Sequence, residues 1–326
     1  MANVVCDGKA VAVERGQRLL DALTGAGVRV PSSCRAGACQ TCLVKATRGA
    51  APAAAQVGLK EGLRLQGYFL ACLAEPAEDL EITVDGGELS VPARIDRVDR
   101  IGVDVVRVRV LPERCFPHRG GQWMTLIRDD GLARPYSIAS VPESPDGIGP
   151  LEIHVRVVRG GRMSGWLSAG EASGTAVQLR GPAGDCFYTP RDLGQPLLLA
   201  GTGTGLAPLW AITRDALRAG HTGPIEIWHG ARTADGFYLV DELRALSRRA
   251  PQVVYRRCAL EGGGDGEVSV GRLDQFLLAR GAAAGGRAFL CGDPTFVASL
   301  KRGLFLAGLP LRDIHADAFV SAPPPG

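Results

Sequence analysis

Four cysteines near the amino terminus have the spacing of a metal centre. Cys34, Cys39 and Cys42 form the pattern C-x4-C-x2-C, and Cys72 follows at a distance. An iron–sulfur cluster needs four thiolates that converge within a few ångströms, and a tight loop rich in alanine and glycine can supply three of them by folding round the inorganic core. The spacing is the plant-type [2Fe-2S] pattern, so we expect these four residues to be the metal ligands.

Two other interpretations of these cysteines are open, a zinc site and chance clustering. A structural zinc site usually contains two separate C-x2-C pairs. This chain has one such pair, Cys39 and Cys42, and a third cysteine, Cys34, lies five residues before it. The iron–sulfur interpretation is therefore favoured. The chain has nine cysteines and shows no secretory signal, which favours metal ligation or core thiols over disulfides. We expect four of the others to be structural thiols: Cys6, Cys115, Cys186 and Cys258.

A second series of motifs lies in the middle of the chain. Arg134-Pro135-Tyr136-Ser137-Ile138-Ala139-Ser140 is preceded by Gly121-Gln122-Trp123 and followed by His154-Val155-Arg156 and Gly160-Gly161-Arg162-Met163-Ser164. This series resembles the flavin domain of ferredoxin–NADP reductase-like proteins. With the cysteine motif in front of it, essentially the whole chain resembles the reductase component of bacterial multicomponent oxygenases, particularly the naphthalene-dioxygenase type.

The resemblance implies a bound flavin, expected to be FAD, and residues that hold it. Arg134 can fork onto a phosphate, the ring of Tyr136 can pack against the isoalloxazine, and the hydroxyl of Ser137 can reach the reactive nitrogen N5. In this family the segment from Gly161 to Ser164 holds the pyrophosphate, in keeping with backbone amides at a helix start. The other flavin-binding candidates are Pro135, His154, Val155, Arg156, Gly161, Arg162, Met163 and Ser164. Taken alone, a strand reading Arg-Pro-Tyr-Ser could equally be an ordinary packed strand.

A glycine-rich turn follows, with the sequence Gly201-Thr202-Gly203-Thr204-Gly205-Leu206-Ala207-Pro208. It lies between a strand pattern and a helix pattern, where backbone amides and the helix dipole favour a pyrophosphate. The turn departs from G-x-G-x-x-G, because Leu206 takes the last position, and is similar instead to the Gly-Thr-Gly turn of the reductase family. Alone it could be a simple strand-to-helix connection. We expect its residues to bind the nicotinamide coenzyme: Gly201, Thr202, Gly203, Thr204 and Gly205.

Two later segments resemble the nicotinamide site of the same family. Cys291-Gly292-Asp293-Pro294 matches the family's Cys-Gly-x-Pro motif, which lies beside the nicotinamide, and His315-Ala316-Asp317-Ala318-Phe319-Val320 matches its closing segment. The resemblance implies that Phe319 gates the isoalloxazine face and that Asp317 orients the nicotinamide, although a single phenylalanine near a C-terminus is more often part of a core. The catalytic candidates are Ser137, Cys291, Asp317 and Phe319, and Gly292 and Asp293 join the coenzyme-binding candidates.

The choice of coenzyme depends on the segment Gly230-Ala231-Arg232-Thr233-Ala234-Asp235. An acidic group that accepts from a ribose hydroxyl suits NADH, whereas Arg232 could meet the 2′-phosphate of NADPH. Both types of residue are present, so NADPH is possible. The resemblance to oxygenase reductases favours NADH.

The pattern of elements predicts how these motifs are positioned. A chain of 326 residues exceeds one ordinary core. Val91-Pro92 is predicted to close a first block and Val103–Val110 to open a series of short strands typical of an antiparallel barrel. After Gln195-Pro196, alternating strands and helices predict a parallel sheet covered on both faces. We therefore expect a multi-domain α+β and α/β protein, with a β-grasp-like ferredoxin domain at 1–91, an antiparallel β-barrel flavin domain at 92–192 and a parallel-sheet α/β nicotinamide domain at 193–326.

Charge and hydropathy give no indication of a nucleic-acid or membrane partner. Lys and Arg number 37 against 34 Asp and Glu, so the net charge of +3 gives no reason to expect nucleic acid or an anionic membrane. The apolar stretch Leu193–Thr213 is interrupted by glycines and a proline, which favours a buried strand and turn over a membrane span. Because no secretory signal is visible, we expect the chain to stay in the cytoplasm. We favour a monomer. An acidic run after Cys72 could steer a basic docking face, but we favour solvated surface; its members are Glu75, Glu78, Asp79, Glu81, Asp85 and Glu88.

The combined motifs predict an electron-transfer chain. A hydride carries two electrons and an iron–sulfur cluster accepts one at a time, so a flavin must stand between them. We expect an enzyme that passes electrons from NADH through FAD and the [2Fe-2S] cluster to an oxygenase component or a ferredoxin. One rival keeps the cofactors but serves a deoxysugar dehydratase of the CDP-6-deoxy-glucoseen type. The other, a non-catalytic iron–sulfur protein with a degenerate flavin domain, is disfavoured by the presence of Arg134, Tyr136, Ser137 and the Gly201 turn.

Overall fold

Each of the three predicted blocks contributes one β-sheet. The computed structural model describes residues 1–84, 89–143, 149–262, 266–281 and 285–320. The three sheets have five, six and six strands, and each is packed on apolar side chains of its own block.

The first sheet has the strand order β2-β1-β5-β3-β4, with β1 and β5 parallel and the other pairs antiparallel. Its core includes Leu19, Leu20 and Leu23 of the first helix. This mixed sheet with a packed helix is the predicted β-grasp arrangement. The elements are β1 (Ala2–Cys6), β2 (Lys9–Val13), α1 (Leu19–Gly25), β3 (Leu43–Arg48), α2 (Glu61–Leu65), β4 (Tyr68–Leu70) and β5 (Leu80–Thr83).

The second sheet is antiparallel throughout, in the order β10-β7-β6-β11-β8-β9. Its two outer strands meet through a bridge between Ile138 and Ile153, and the amide of Ala139 donates to the carbonyl of Glu152 at 2.7 Å. These contacts close the sheet into the predicted barrel. The elements are β6 (Ser90–Arg100), β7 (Val105–Pro112), β8 (Trp123–Ile127), β9 (Ala133–Ser137), β10 (Leu151–Arg156), α3 (Arg162–Ser168) and β11 (Ala176–Ala183).

One prediction about this barrel is wrong. Val91-Pro92 does not close a block, because both residues lie inside β6, which the sequence reading missed. A proline lacks only the N–H group, and the carbonyl of Pro92 still accepts from the amide of Glu113 at 2.8 Å while Pro92 lies opposite Gln178. The ring is tolerated where that N–H is not needed.

The third sheet is parallel throughout, in the order β15-β14-β13-β12-β16-β17. Helices α4 and α5 pack on one face and α6 and α7 on the other, as predicted. Within the described ranges, no helix has the length and hydropathy of a bilayer span. The elements are β12 (Leu197–Thr202), α4 (Leu206–Arg218), β13 (Ile225–Ala231), α5 (Val240–Arg249), β14 (Val253–Ala259), β15 (Val268–Val270), α6 (Leu273–Arg280), β16 (Arg287–Gly292), α7 (Pro294–Leu306) and β17 (Ile314–Ala318).

The turn after β12 lies directly against the end of β16. A Cβ atom on Gly205 would be 2.3 Å from the carbonyl oxygen of Cys291, which no real side chain tolerates. Glycine at this position therefore lets the start of α4 approach the neighbouring strand. In parallel α/β sheets, the crevice at the carboxyl ends of such strands is where ligands bind.

Replacing Gly205 with alanine tests this close approach. We expect Gly205→Ala to destabilise the nicotinamide half by about 1–3 kcal/mol, because the backbone of Cys291 must move to admit the methyl group. Gly165→Ala is the matched control, since Gly165 lies within α3 with nothing within 4 Å, and alanine there should be neutral or slightly stabilising. Urea midpoints measure both effects, and equal midpoints would contradict the prediction.

Candidate functional site

The four predicted cluster cysteines are all buried in the first block. Three lie in the loop between α1 and β3, and Cys72 follows the end of β4 after one intervening residue, Ala71. The amides of Ala36 and Cys39 each donate to the sulfur of Cys34 at 3.4 Å, and the amide of Cys34 donates to the sulfur of Cys39 at 3.4 Å. Such N–H···S bonds hold the sulfurs in place and help to set the potential of a bound cluster.

The thiols are arranged as two pairs. A hydrogen bond from Cys39 lowers the pKa of Cys34 to about 5 and one from Cys42 lowers the pKa of Cys72 to about 7, while both donors have raised pKa values. Within the described part of the chain, no three His, Cys, Asp or Glu side chains converge as one metal ion would require. Two thiol pairs match the binuclear centre of the plant-type pattern, in which each iron takes two thiolates.

A second group of predicted residues meets where the barrel touches the parallel sheet. The hydroxyl of Ser137, at the end of β9, donates to the carboxylate of Asp317 on β17 at 3.0 Å. Asp317 lies opposite Cys291 on β16, and the amide of Phe319 donates to the carbonyl of Gly292 at 2.8 Å. All four predicted catalytic residues are therefore placed in one region.

In this region, burial raises the pKa of two ionisable side chains, Asp317 and Cys291. Burial raises the pKa of Asp317 to about 6, against the opposing effect of the hydrogen bond from Ser137. Burial also raises the pKa of Cys291 well above its ordinary value, so its thiol stays neutral. The sulfur of Cys291 lies 3.6 Å from that of Cys186, a contact that sequence reasoning missed because 105 residues separate the two.

The backbone of the glycine-rich turn is accessible at Gly203, and a buried histidine holds the carbonyl group of the same residue by a hydrogen bond. Gly203 has a left-handed φ of +54°, and a Cβ there would meet nothing within 4 Å, so a pyrophosphate could approach its backbone. Nε2 of His229 donates to the carbonyl of Gly203 at 3.1 Å, while the hydroxyl of Tyr255 lies 3.2 Å from Nδ1. Burial lowers the pKa of His229 to about 3, so this histidine is neutral. It is a supporting residue that the sequence did not reveal.

The hydroxyl of Thr202 links the turn to the Cys-Gly motif. Its oxygen accepts from the amide of Asp293 at 2.9 Å. The carboxylate of Asp293 accepts from the amides of Thr295 and Phe296, at 2.9 and 3.0 Å, and so caps α7. Oδ1 of Asp293 is therefore occupied by the helix cap, and the amide of Asp293 is occupied by Thr202.

The flavin-binding candidates fall into two sets. Arg134, Pro135 and Tyr136 lie half-buried along β9. Gly161 precedes α3, whose first turn contains Arg162, Met163 and Ser164 and presents amides without partners inside the helix. These residues fit a flavin nucleotide.

Three other flavin candidates direct their side chains elsewhere. His154 is fully buried, with Nε2 donating to Glu152 at 2.8 Å and Nδ1 3.2 Å from the hydroxyl of Tyr238 in the third block. Val155 packs in the barrel core, and Arg156 is paired with Asp104 at 2.9 Å. The structure thus places the imidazole of His154 in the contact between barrel and parallel sheet.

The cysteines outside the cluster motif differ in exposure, and two members of the acidic run after Cys72 have partners within the first block. Cys6, Cys186 and Cys258 are buried, as expected, but Cys115 is exposed and is not a core thiol. In the acidic run, Asp79 accepts from the amide of Asn3 and Glu81 pairs with exposed Arg48. Asp85 and Glu88 lie outside the described residues.

Family models match all three blocks. The 2Fe-2S iron-sulfur cluster binding domain matches residues 4–77, the oxidoreductase FAD-binding domain residues 113–188 and the oxidoreductase NAD-binding domain residues 199–302. The chain is 31% identical, over 93% of its length and 94% of the relative, to the reductase component of the naphthalene 1,2-dioxygenase system of Pseudomonas putida. The chain belongs to the family of ferredoxin–NAD(P)+ reductase components. The reductase therefore has cluster, FAD and NAD domains in one chain.

Further similarities support the same family. The reductase is 31% identical to the reductase subunit of an aromatic O-demethylase of Amycolatopsis, with 97% of each chain covered. The crystal structure of an Amycolatopsis cytochrome P450 reductase matches with a TM-score of 0.68 and 29% identity, covering 98% of this chain and 99% of the other. A ferredoxin reductase of carbazole 1,9a-dioxygenase shares the fold, with a TM-score of 0.66 at 23% identity.

Asp317 predicts a pH dependence. Because burial raises its pKa to about 6, Asp317 is charged at pH 7.5 and protonated at pH 5, where it loses the negative charge that the hydrogen bond from Ser137 stabilises. We expect NADH-dependent flavin reduction to slow about tenfold between these pH values, following the ionised fraction. Stopped-flow rates measure this change.

Two variants decide whether Asp317 is the titrating group. Asp317→Asn should flatten the profile, whereas Asp241→Asn, which removes an exposed carboxylate of the same sheet block, should leave it unchanged. If the rate of flavin reduction in Asp317→Asn still falls as the pH drops through about 6, the titrating group is not Asp317.

Proposed function

We propose that the reductase takes electrons from NADH in the crevice between barrel and parallel sheet and passes them singly through its cluster to a protein acceptor. The hydrogen bond between Ser137 and Asp317 carries this proposal, because it brings the end of the flavin barrel to the nicotinamide edge of the parallel sheet. When bound, the flavin accepts a hydride as an electron pair and releases single electrons, which the cluster carries one at a time.

We assign the cluster to the two thiol pairs. Cys34 and Cys39 would hold one iron, and Cys42 and Cys72 the other, in keeping with their hydrogen-bonded pairing. All four cysteines are buried, which limits the access of water to their sulfurs, and the loop amides of Ala36 and Cys39 stabilise negative charge on Cys34.

The flavin roles rest on the barrel motifs. Arg134 would pair with a phosphate, Tyr136 would pack on the isoalloxazine, and Ser137 would face N5 while Asp317 holds its hydroxyl. The first-turn amides of α3, from Arg162 to Ser164, would receive the pyrophosphate. For His154, Val155 and Arg156, any contribution to the flavin would come from the backbone of β10.

The nicotinamide roles rest on the carboxyl ends of the parallel strands. The turn Gly201–Gly205 would hold the coenzyme pyrophosphate through its amides, with His229 keeping the carbonyl of Gly203 turned away. Neutral Cys291 and the adjacent Gly292 would lie beside the nicotinamide ring, and Phe319 would cover the flavin face. The domain divisions 1–91, 92–192 and 193–326 are proposed with these roles, except that the first boundary is moved to precede Ser90, where β6 of the barrel begins.

The acceptor is proposed from the relatives. Relatives that are 29% to 32% identical are named as reductase or electron transfer components of naphthalene dioxygenase, xylene/toluene monooxygenase and aromatic O-demethylase systems. We propose that this reductase likewise serves an oxygenase component or its ferredoxin, as a monomer in the cytoplasm, where NADH is available and thiols stay reduced.

Anaerobic reduction with two artificial acceptors tests the function. NADH should drive reduction of ferricyanide, which reaches the flavin directly, and of cytochrome c, which takes electrons from the cluster. Cys42→Ser should lose the cluster, and its rate of cytochrome c reduction should fall at least tenfold. It should keep the bound flavin and the parent rate of ferricyanide reduction. Cys115→Ser, a change at an exposed thiol, should behave as the parent. A parent protein without flavin absorbance or NADH-driven activity would refute the function.

The ends of β13 and β14 predict the coenzyme preference. The amide of Glu261 donates to the carbonyl of Arg232 at 2.9 Å, and the two side chains approach to 3.9 Å. The carboxylate of Glu261 would both neutralise Arg232 and repel a 2′-phosphate, which favours NADH. We expect Glu261→Gln to raise kcat/KM for NADPH about fivefold, the size of one exposed charge pair, with little change for NADH.

Steady-state kinetics with both coenzymes measure this preference. Glu171→Gln, which removes an exposed charge from the barrel block, is the control and should change neither value. An unchanged NADPH value in Glu261→Gln would mean that Glu261 and Arg232 do not meet the adenosine ribose.

A further inference from the structure

A buried arginine of the barrel reaches into the cluster loop. Nη1 of Arg180 donates to the carbonyl oxygen of Thr41 at 3.0 Å, joining positions 139 residues apart. Thr41 lies between Cys39 and Cys42 and is completely buried, and Arg180 is only 8% exposed. The bond therefore connects the flavin barrel with the backbone that carries two proposed cluster ligands.

The position of Arg180 on β11 explains why it points toward the cluster loop. Its neighbour Leu179 lies in the barrel core, and successive side chains of a strand alternate between faces, so Arg180 faces outward. The outward side of a barrel strand is ordinarily solvated. Here Arg180 and its cross-strand partners Ser90 and Thr125 are buried instead, which shows that this patch of the barrel is covered.

The same sheet face leads to the flavin site. Arg180 pairs with Thr125 on β8, and Thr125 pairs with Pro135 on β9, so these three residues form one row across the sheet. Ser137 is two residues further along β9 and faces the same way. At the usual strand spacing, Arg180 is about 10 Å from the strand that carries Ser137. It thus lies between the flavin-facing edge of the barrel and the cluster loop.

A buried guanidinium also has an electrostatic consequence. Arginine stays protonated, and a charge this far from water is stabilised by nearby negative charge. The cluster thiolates, beginning with the residue after Thr41, would add negative charge on the side of Arg180 that faces the cluster loop. A fixed positive charge beside the cluster favours the state with one more electron and so raises the reduction potential.

We propose that Arg180 is a positioning residue for electron exit, which holds the cluster loop on the flavin barrel and raises the potential of the cluster. This inference rests on the proposed ligation of the cluster by the four cysteines. It adds to that function a specific control of the step from flavin to cluster.

The test uses the full-length holoprotein with its cluster and flavin loaded. Arg180→Gln keeps a hydrogen-bond donor but removes the charge, and we expect the cluster midpoint potential, measured by EPR-monitored titration, to fall. The equilibrium constant for electron transfer from flavin to cluster should drop about tenfold, which corresponds to about 59 mV for a one-electron couple. Cytochrome c reduction should slow several-fold while ferricyanide reduction stays unchanged.

Two further variants separate the local charge from other effects. Arg94→Gln is the matched control, because it removes the same charge from an exposed position of β6 in the same barrel, and its potential should match that of the parent. Arg180→Lys keeps the positive charge but replaces the guanidinium group, whose Nη1 donates to Thr41, with a smaller ammonium group. We therefore expect a potential near that of the parent, together with faster hydrogen exchange of the amides around Thr41.

The outcomes distinguish this proposal from the function itself. An unchanged potential and an unchanged ratio of cytochrome c to ferricyanide activity in Arg180→Gln would overturn the proposal while leaving the function intact. If that variant does not assemble, Arg180→Lys decides: a parent-like potential with faster exchange supports the proposal, and a lowered potential or parent-like exchange overturns it. Absence of a cluster from the parent, judged by its EPR signal, would refute the function on which the proposal rests.

Discussion

The hydrogen bond between Ser137 and Asp317 joins two folded units whose meeting creates the site. Ser137 ends a strand of the barrel and Asp317 lies on the last strand of the parallel sheet, 180 residues later. The bond requires both the closure of the barrel through Ile138 and the register that sets Asp317 opposite Cys291. A slip of one residue in β17 would turn the carboxylate to the other face of the sheet. The crevice thus depends on strand register as much as on the residues that line it.

Buried polar contacts, rather than apolar packing alone, set the relative positions of the three blocks. His154 links Glu152 of the barrel with Tyr238 of the third block, and Arg180 links the barrel with Thr41 of the cluster loop. Apolar burial has no direction, whereas a hydrogen bond between buried groups is satisfied in one geometry only. Electron transfer between separate centres needs such fixed distances, which explains why polar groups are worth burying here.

Prediction from the sequence succeeded for the fold and for the three cofactor domains, because their determinants are local. The cluster cysteines lie mostly in one short loop, the glycine turn follows directly after a strand, and the parallel sheet is visible in the alternation of strands and helices. It failed at Pro92, because the effect of a proline depends on whether its missing N–H was needed by a neighbouring strand. It also failed at Cys115, whose exposure depends on packing and not on residue type.

The sequence by itself determined the class of each sheet through its periodicity and the family through the resemblance of its motifs, and it predicted the cluster ligands from the spacing of four cysteines. All of these signals are properties of contiguous residues. Only the tertiary structure decided that Cys186 touches Cys291, that His229 supports Gly203 and that Arg180 reaches Thr41. An outward-facing arginine in an alternating strand reads as ordinary solvated surface until another block covers it. Contacts between residues far apart in the chain leave no periodic signal, and it is these contacts that bring the three centres together.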